Sequence, residues 1–312
     1  MTEFPVSMIH PDAPEIFSAT ALFTAPIDLE GAAARVGTLW NESIAFAWER
    51  GGSILRFALR DVVVLLSPVS GEAVPERGRL PAHGFHVALT CFAPMEDVGG
   101  FGAEANGFER EGGDSDGDVG DSEGDVGDSE GDVGDRAAEA GSSRMPGFTG
   151  EEISELEGLP REIALRRRAV TAHVVLAEVA DALMREKSAV GLFRPELGVV
   201  QPPQMVVELA DLLSKGQAPI PLWVGIRVSK PDLVHGRTLG LPLFGHLDLE
   251  VVGSLHSEEE VYAMLSNVVD YLLSADAFLL PGQSVGYRDG KDLAVSQAVS
   301  PADRAAVLHI GF

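Results

Sequence analysis

The sequence predicts an α+β protein with mixed sheets and packed helices, arranged as one composite unit or as two related α/β halves, and interrupted by a disordered acidic loop. Two observations favour this class. Strand patterns follow one another directly in several places and alternate with helical patterns elsewhere, whereas a doubly wound parallel sheet would alternate throughout. The 312 residues are also 45% hydrophobic, which is enough apolar material for a large core.

The first 96 residues predict a strand, a helix and then further strands. Residues 16–23 are apolar and compatible with a strand, and Asp28 can cap the helix that follows. Residues 54–59 and 62–66 predict paired strands, and residues 86–92 predict another. The helix after Asp28 is expected to bury four apolar residues, namely Leu29, Ala32, Ala33 and Val36.

An acidic low-complexity block at residues 112–135 interrupts this pattern. It repeats Gly-Asp-Val-Gly-Asp-Ser-Glu twice, and residues 104–139 contain 14 acidic residues and two arginines, about half of the net charge of -25. Such a composition cannot bury enough surface to offset its backbone entropy. We therefore expect an N-terminal part of a composite domain at 1–96, a disordered insertion at 97–149 and the C-terminal part of the domain at 150–312.

After the insertion, residues 160–187 predict a long helix with Arg166 to Arg168 in solvent. Pro202 and Pro203 begin a second helix, in which Met205 is among the residues expected to face inward. Strands are expected at 190–193, 222–228 and 249–252, with a solvated loop at 236–245 between the last two.

The C-terminal part has the clearest helix signal. Ser257 and Glu260 predict a capping box, followed by apolar residues at helical spacing. Asp289 and Gly290 predict a hairpin turn among short strands at 278–280, 285–287, 294–298 and 307–310. The expected inward residues of the helix are Val261, Met264, Leu265, Val268, Val269, Leu272 and Leu273.

Net charge limits the partners that we expect, and cysteine content and hydropathy indicate the location. A surface this acidic repels phosphate backbones and anionic membranes, so we expect no nucleic acid and no membrane partner. The single cysteine, Cys91, fits a reducing compartment, and no apolar stretch reaches the length of a membrane helix. Without a signal peptide pattern at the N-terminus, the expected location is the cytoplasm.

Two histidine groups are candidate metal sites. The first group is His83 and His86, and Cys91 follows His86 by five residues. Imidazole and thiolate groups of this kind are zinc ligands. Side chains at 83 and 86 would lie on opposite faces of a strand, however, which disfavours a shared metal. His246 and Asp248, with other histidines nearby, form the second candidate metal or acid–base group.

Three further patterns are weighed and set aside. Residues 282–286, Gly-Gln-Ser-Val-Gly, match the nucleophile motif of hydrolases around Ser284, with Asp289, Asp292 and His309 behind it, but no helix follows the serine. The acidic block begins like a calcium loop at Asp114 but has Val119 where glycine is needed. Arg227, inside an apolar strand, is expected at an exposed edge. No catalytic residue and no cofactor is assigned.

Several segments together resemble a bacterial family, domain of unknown function (DUF) 4261. They are His-Gly-Phe-His-Val-Ala-Leu-Thr at 83–90, Leu-Trp-Val-Gly-Ile-Arg-Val at 222–228, the short pieces at 238–241 and 247–250, and the helix from Ser257 with Leu-Pro-Gly-Gln-Ser-Val-Gly at 280–286. The resemblance implies an α+β domain without assigned activity. It also implies that the acidic block is inserted within one composite domain.

The sequence leaves three functions open. The first function is that of a non-enzymatic, immunity-like interaction protein, which binds a basic partner protein of complementary charge. The alternative is a hydrolase or metal-dependent enzyme that uses His83, His86, His246, Asp248 or Ser284. A scaffold role of the acidic block is the third. Convergence of these side chains in one pocket would favour the enzyme.

Overall fold

The computed structural model describes residues 14–75, 79–93, 161–275, 277–287 and 290–312, which belong to one compact unit. These residues form two β-sheets with packed helices, and the α+β class is therefore confirmed. The expected insertion at 97–149, the calcium-like pattern at Asp114 and the turn residue Asp289 lie outside the described residues. No described helix is long and apolar enough to span a membrane.

The first sheet is antiparallel throughout and joins strands from both sides of segment 94–160. Its order is β2-β3-β4-β5-β1-β6-β7, so β1 pairs with β5 on one side and with β6 on the other. Its strands are β1 (Ile16–Phe23), β2 (Phe46–Glu49), β3 (Ile54–Leu59), β4 (Val62–Ser70), β5 (Phe85–Phe92), β6 (Ala189–Arg194) and β7 (Val199–Gln201).

Three helices cover this sheet, namely α1 (Leu29–Trp40), α2 (Arg161–Met184) and α3 (Pro203–Ser214). The long helix α2 packs on β1, β5 and β6 and contacts both other helices. Residues 172–184 of α2 are buried on every side, which is the pattern of a helix inside the protein rather than on its surface.

The second sheet is mixed, with the order β11-β12-β13-β10-β9-β8, and only the pair β10 and β13 is parallel. Helix α4 (Ile220–Trp223) precedes it, and helix α5 (Glu258–Ser274) packs on β8, β9 and β10. Its strands are β8 (Gly225–Ser229), β9 (Val234–Leu239), β10 (Asp248–Ser254), β11 (Ser284–Gly286), β12 (Asp292–Val299) and β13 (Ala306–Ile310).

The local helix signals are confirmed. The Asp28 carboxylate accepts a hydrogen bond from Gly31 N–H at 3.1 Å, and the four apolar residues expected in α1 are buried. Ser257 and Glu260 form the predicted capping box at the start of α5. All seven residues expected on the inner side of α5 are buried as well.

The segment 222–245 corrects two sequence predictions. Leu222 and Trp223 form part of α4 instead of beginning a strand, and β8 starts only at Gly225. Residues 236–245 are not a solvated loop, because they include the second half of β9 and a buried 3-10 helix, Leu241–Phe244. Strand β9 fits closely under α5, since a Cβ on Gly236 would lie 2.5 Å from Cγ1 of Val261.

Two side-chain predictions are wrong. Arg166 is buried instead of solvated, because its guanidinium donates to the carbonyls of Gly245 and Ala277 and lies over the ring of Phe278. Met205 is 38% exposed, because the buried side of α3 carries Val206 and Ala210. Residues 278–280 contain no strand, and β2 was not anticipated.

Candidate functional site

His83 and His86 are held by the backbone around the start of β5. Nε2 of His83 accepts a hydrogen bond from Ala73 N–H at 2.7 Å, so Nδ1 carries the proton and donates to the Pro81 carbonyl at 2.7 Å. Nδ1 of His86 donates to the Gly71 carbonyl at 3.1 Å. Both ring nitrogens of His83 are therefore used to fix a loop, and a metal would have to displace one of these bonds.

Cys91 is buried in the same strand. Its side chain is fully covered, and burial raises the pKa of the thiol above its usual value despite the nearby charge of Arg194. A thiol that stays protonated is a poor nucleophile and a poor metal ligand. Cys91 therefore packs in the core in the way that a small apolar residue does.

His246 and Asp248 both lie in the interior, at the start of β10. Burial, with the Arg166 charge nearby, lowers the pKa of His246 to about 3, so its ring is neutral. Asp248 accepts hydrogen bonds from Thr238 Oγ1 at 3.0 Å and from Leu241 N–H at 3.2 Å. Burial raises the pKa of Asp248 to about 6. These contacts tie the 3-10 helix to β9 and β10.

The proposed histidine groups do not assemble a metal centre within the part of the chain that the structure describes. In these residues no three His, Cys, Asp or Glu side chains are close enough to hold one ion together. A zinc ion in a protein needs at least three such ligands. The metal assignments to His83, His86, His246 and Asp248 thus remain sequence predictions without supporting geometry.

Ser284 lies in a surface groove between α5 and the segment 278–287. The groove has a volume of about 810 Å³ and combines aromatic, aliphatic and uncharged polar side chains. Its lining residues are Met264, Asn267, Val268, Tyr271, Phe278, Leu279, Gly282, Gln283, Ser284, Val285, Gly286 and Tyr287. A hydroxyl nucleophile needs an adjacent general base, and none of these residues is His, Asp or Glu.

The expected partners of Ser284 lie on other strands. Ser284 begins strand β11, whereas the hydrolase motif requires a strand-to-helix turn. Asp292 is the register partner of Gly286 at the start of β12, and His309 lies in β13 opposite Ser296. The hydrolase pattern in the sequence is therefore a glycine turn, with Gly282 at φ +89°, leading into a short edge strand.

The solvent-facing side of α5 is acidic and aromatic. The helix contains Glu258, Glu259, Glu260 and Asp270 and has no lysine or arginine. Tyr262 is 44% exposed on this helix and Tyr271 is 53% exposed at the groove. Exposed tyrosines are enriched at protein interfaces, because they bury a large area at a small cost in side-chain entropy.

Asp270 is exposed on the solvent-facing side of α5. It is close in sequence to Asn267 and Tyr271, which line the groove, but is not itself a lining residue. Partial burial raises the pKa of Asp270, and no described lysine, arginine or histidine forms an ion pair with it. The solvent-facing side of α5 therefore offers a carboxylate that a cation can approach.

A charged network on the second sheet was missed by the sequence analysis. Nη1 of Arg237 donates to Ser300 Oγ at 2.8 Å and pairs with Asp303 at 2.7 Å, and Ser300 Oγ donates to Glu250 at 2.6 Å. These bonds fasten the β12–β13 turn to β9 and β10. The network joins positions 237, 250, 300 and 303, which are distant in the sequence, so no local pattern predicts it.

A buried carboxylate on α2 was also missed. Glu178 is 2% exposed and pairs with Nη2 of Arg60 at 2.9 Å, while its second oxygen has no hydrogen-bond partner. Burial raises the pKa of Glu178 to about 7, although the Arg60 charge opposes this change. Charged residues are rarely buried, so nothing in the local sequence predicted this position.

Comparison with known proteins gives one match. No curated protein and no solved structure is significantly similar to the chain. The model of one family, described as Domain of unknown function (DUF4261), matches residues 237–310. The matched segment begins within β9 and ends with β13, and it contains α5, the groove and the Arg237 network. The segment 237–310 is therefore similar to the DUF4261 family.

Proposed function

We propose that the protein binds a partner protein with a basic surface in the cytoplasm and does not catalyse a reaction. The observation that carries the proposal is the exposed side of α5, where acidic residues and two tyrosines occur without any basic residue. A surface of one charge sign steers a partner of the opposite sign and suppresses others. An immunity-like protein that binds a basic toxin is one form of this function.

The groove chemistry supports binding over catalysis. Ser284 has no general base among the groove residues, and the lining includes no charged side chain at all. Aromatic and amide groups of this kind recognise a ligand by contact and hydrogen bonding. The net charge of -25 favours a basic partner over a nucleic acid or an anionic membrane.

Affinity capture with a matched pair of variants tests the proposal. Immobilised full-length protein should retain one basic polypeptide at a 1:1 ratio from native lysate, and moderate salt should release it. The variant Glu258→Gln/Glu259→Gln/Asp270→Asn should retain at least about fivefold less, since three favourable charges are removed at the interface. Glu260 is left unchanged because it belongs to the capping box.

The control variant is Glu72→Gln/Glu208→Gln/Asp232→Asn, which removes the same charge at three exposed positions outside α5. It should retain the partner as the unmodified protein does. If both variants retain equally little of the partner, the total charge of the protein determines binding and the assignment to α5 is wrong. If the protein retains no stoichiometric basic polypeptide, the proposed function is contradicted.

A further inference from the structure

Among the residues that the structure describes, strand β11 forms an edge of the second sheet. It is the first strand in the sheet order, and its described partner is β12 alone. The carbonyl of Gln283 accepts from Val295 N–H at 3.0 Å, and Tyr287 N–H donates to Lys291 at 2.7 Å. Because bonding alternates along an antiparallel pair, the backbone groups of Ser284 and Gly286 point away from β12.

The groove lies directly beside this edge. Ser284, Val285 and Gly286 of β11 line one side of it, and Asn267 and Tyr271 of α5 line the other. A Cβ built on Gly286 would meet no atom within 4 Å, so the space over this face of the strand is open to a side chain of a bound segment. An open strand edge next to a groove is the arrangement that proteins use to bind extended peptides by strand addition.

The groove walls fit a cationic side chain. Tyr271 presents an exposed ring to the groove, and Asp270, on the adjoining solvent-facing side of α5, is an exposed carboxylate without a described cationic partner. A cation–π contact is already present at Phe278, another residue that lines the groove, because Cζ of Arg166 lies 3.9 Å from the centroid of its ring. Aromatic faces attract guanidinium and ammonium groups, most strongly where a carboxylate is also near.

We infer that an extended segment of the partner adds to the free edge of β11 and places an arginine or lysine side chain in the groove between β11 and α5. The backbone of the segment pairs with Ser284 and Gly286, and the cation contacts Tyr271 and Asp270. This inference rests on the proposed function, because it names the surface and the chemistry by which the basic partner is held.

Peptide display against the full-length protein tests the site with defined probes. A library of random seven-residue peptides without proline or cysteine should become enriched in sequences that carry Arg or Lys at one fixed position. Tyr271→Ala should weaken binding of the enriched peptides at least about fivefold, and Asp270→Asn about two- to fivefold at low salt. N-methylation of alternate peptide amides should abolish binding, since those amides donate to the strand edge.

Matched controls separate this site from a general charge effect. Tyr262→Ala removes a tyrosine of similar exposure from the same helix outside the groove, and Asp232→Asn removes an exposed carboxylate elsewhere. Neither should change peptide affinity. Failure to enrich any peptide, enrichment of peptides without a basic residue, or affinity unchanged by Tyr271→Ala would each overturn the inference.

The test also distinguishes this inference from the proposed function. If a basic partner is captured from lysate and Tyr271→Ala leaves its capture unchanged, the partner binds elsewhere and the groove assignment is wrong. If basic peptides bind at the groove although lysate yields no stoichiometric partner, the groove assignment is supported and the proposed partner is contradicted.

Discussion

The Glu178→Gln variant tests the account of the buried contact between α2 and the β3–β4 turn. Burial raises the pKa of Glu178 from 4.5 to about 7, and its unpartnered oxygen is the natural position for the proton. The folded state therefore binds this proton more tightly than the unfolded chain does. The resulting stability is fully present below pH 4.5 and is lost as the pH rises through about 7.

The magnitude follows from the size of the pKa change. At 1.36 kcal/mol for each pKa unit, the free energy of unfolding should lose about 3 kcal/mol from this group between pH 4 and 8. Glutamine has the same shape and does not titrate, and Arg60 keeps Glu42 as a partner at 3.0 Å in the variant. The pH dependence that remains after subtracting the variant should belong to Glu178 and its coupling to the neighbouring carboxyls of Glu42 and Asp181.

Urea unfolding of both proteins from pH 4 to 8 measures this difference. The unmodified protein should lose about 3 kcal/mol relative to Glu178→Gln across that range, while the exposed control Glu208→Gln should track the unmodified protein. Contributions from Asp248 and other carboxyls cancel, because they are common to the proteins compared. A difference that stays constant, or that grows in favour of the unmodified protein at high pH, would refute the reasoning, since the Arg60 ion pair would then outweigh desolvation.

Three further predictions concern the core. Gly236→Ala should destabilise the protein by about 1 to 3 kcal/mol in urea unfolding, because the added Cβ would lie 2.5 Å from Val261, whereas Gly286→Ala, with open space, should have little effect. His246 should remain neutral from pH 5 to 8, so its NMR resonances should not titrate in that range. Because folding lowers the pKa of His246 from 6.5 to about 3, this residue should reduce the free energy of unfolding as the pH falls below 6.5. Cys91 should react with a thiol reagent only as fast as the protein unfolds, and rapid reaction in native buffer would contradict its burial.

The elements that sequence analysis predicted are those with local signals. Helix α5 has its capping box and all seven of its inward residues within one segment, so the pattern needs no distant partner. The pattern of α1, with Asp28 at its cap, is equally local. These signals act within a few residues and can be read directly from the chain.

The elements that were missed depend on distant residues. Helix α4 has carbonyls at Pro221 and Leu222 that accept hydrogen bonds from Gln201 and Arg194 on the first sheet. Strand β9 contains Gly236, which local propensity disfavours in a strand and which packing under α5 selects. In both cases the tertiary environment overrides a local preference.

The candidate site was predicted only in part. The hydrolase pattern around Ser284 was weighed and set aside, and the structure shows a glycine turn leading into β11 there. Tyr271 and Asp270 were not singled out, because their role depends on how α5 lies beside β11. Arg166 was expected in solvent, although it is held by Gly245 and Ala277, which are distant in the sequence.

Site-specific photo-crosslinking in native lysate tests the central claim most directly. A benzophenone amino acid would replace Asn267, which lines the groove, or Val74, which is 92% exposed in a different part of the protein. The account predicts that position 267 crosslinks to one basic polypeptide, through a segment that contains arginine or lysine, and that position 74 does not. Crosslinks to that polypeptide from position 74 only, or equal crosslinking from both positions, would contradict binding at the α5 groove.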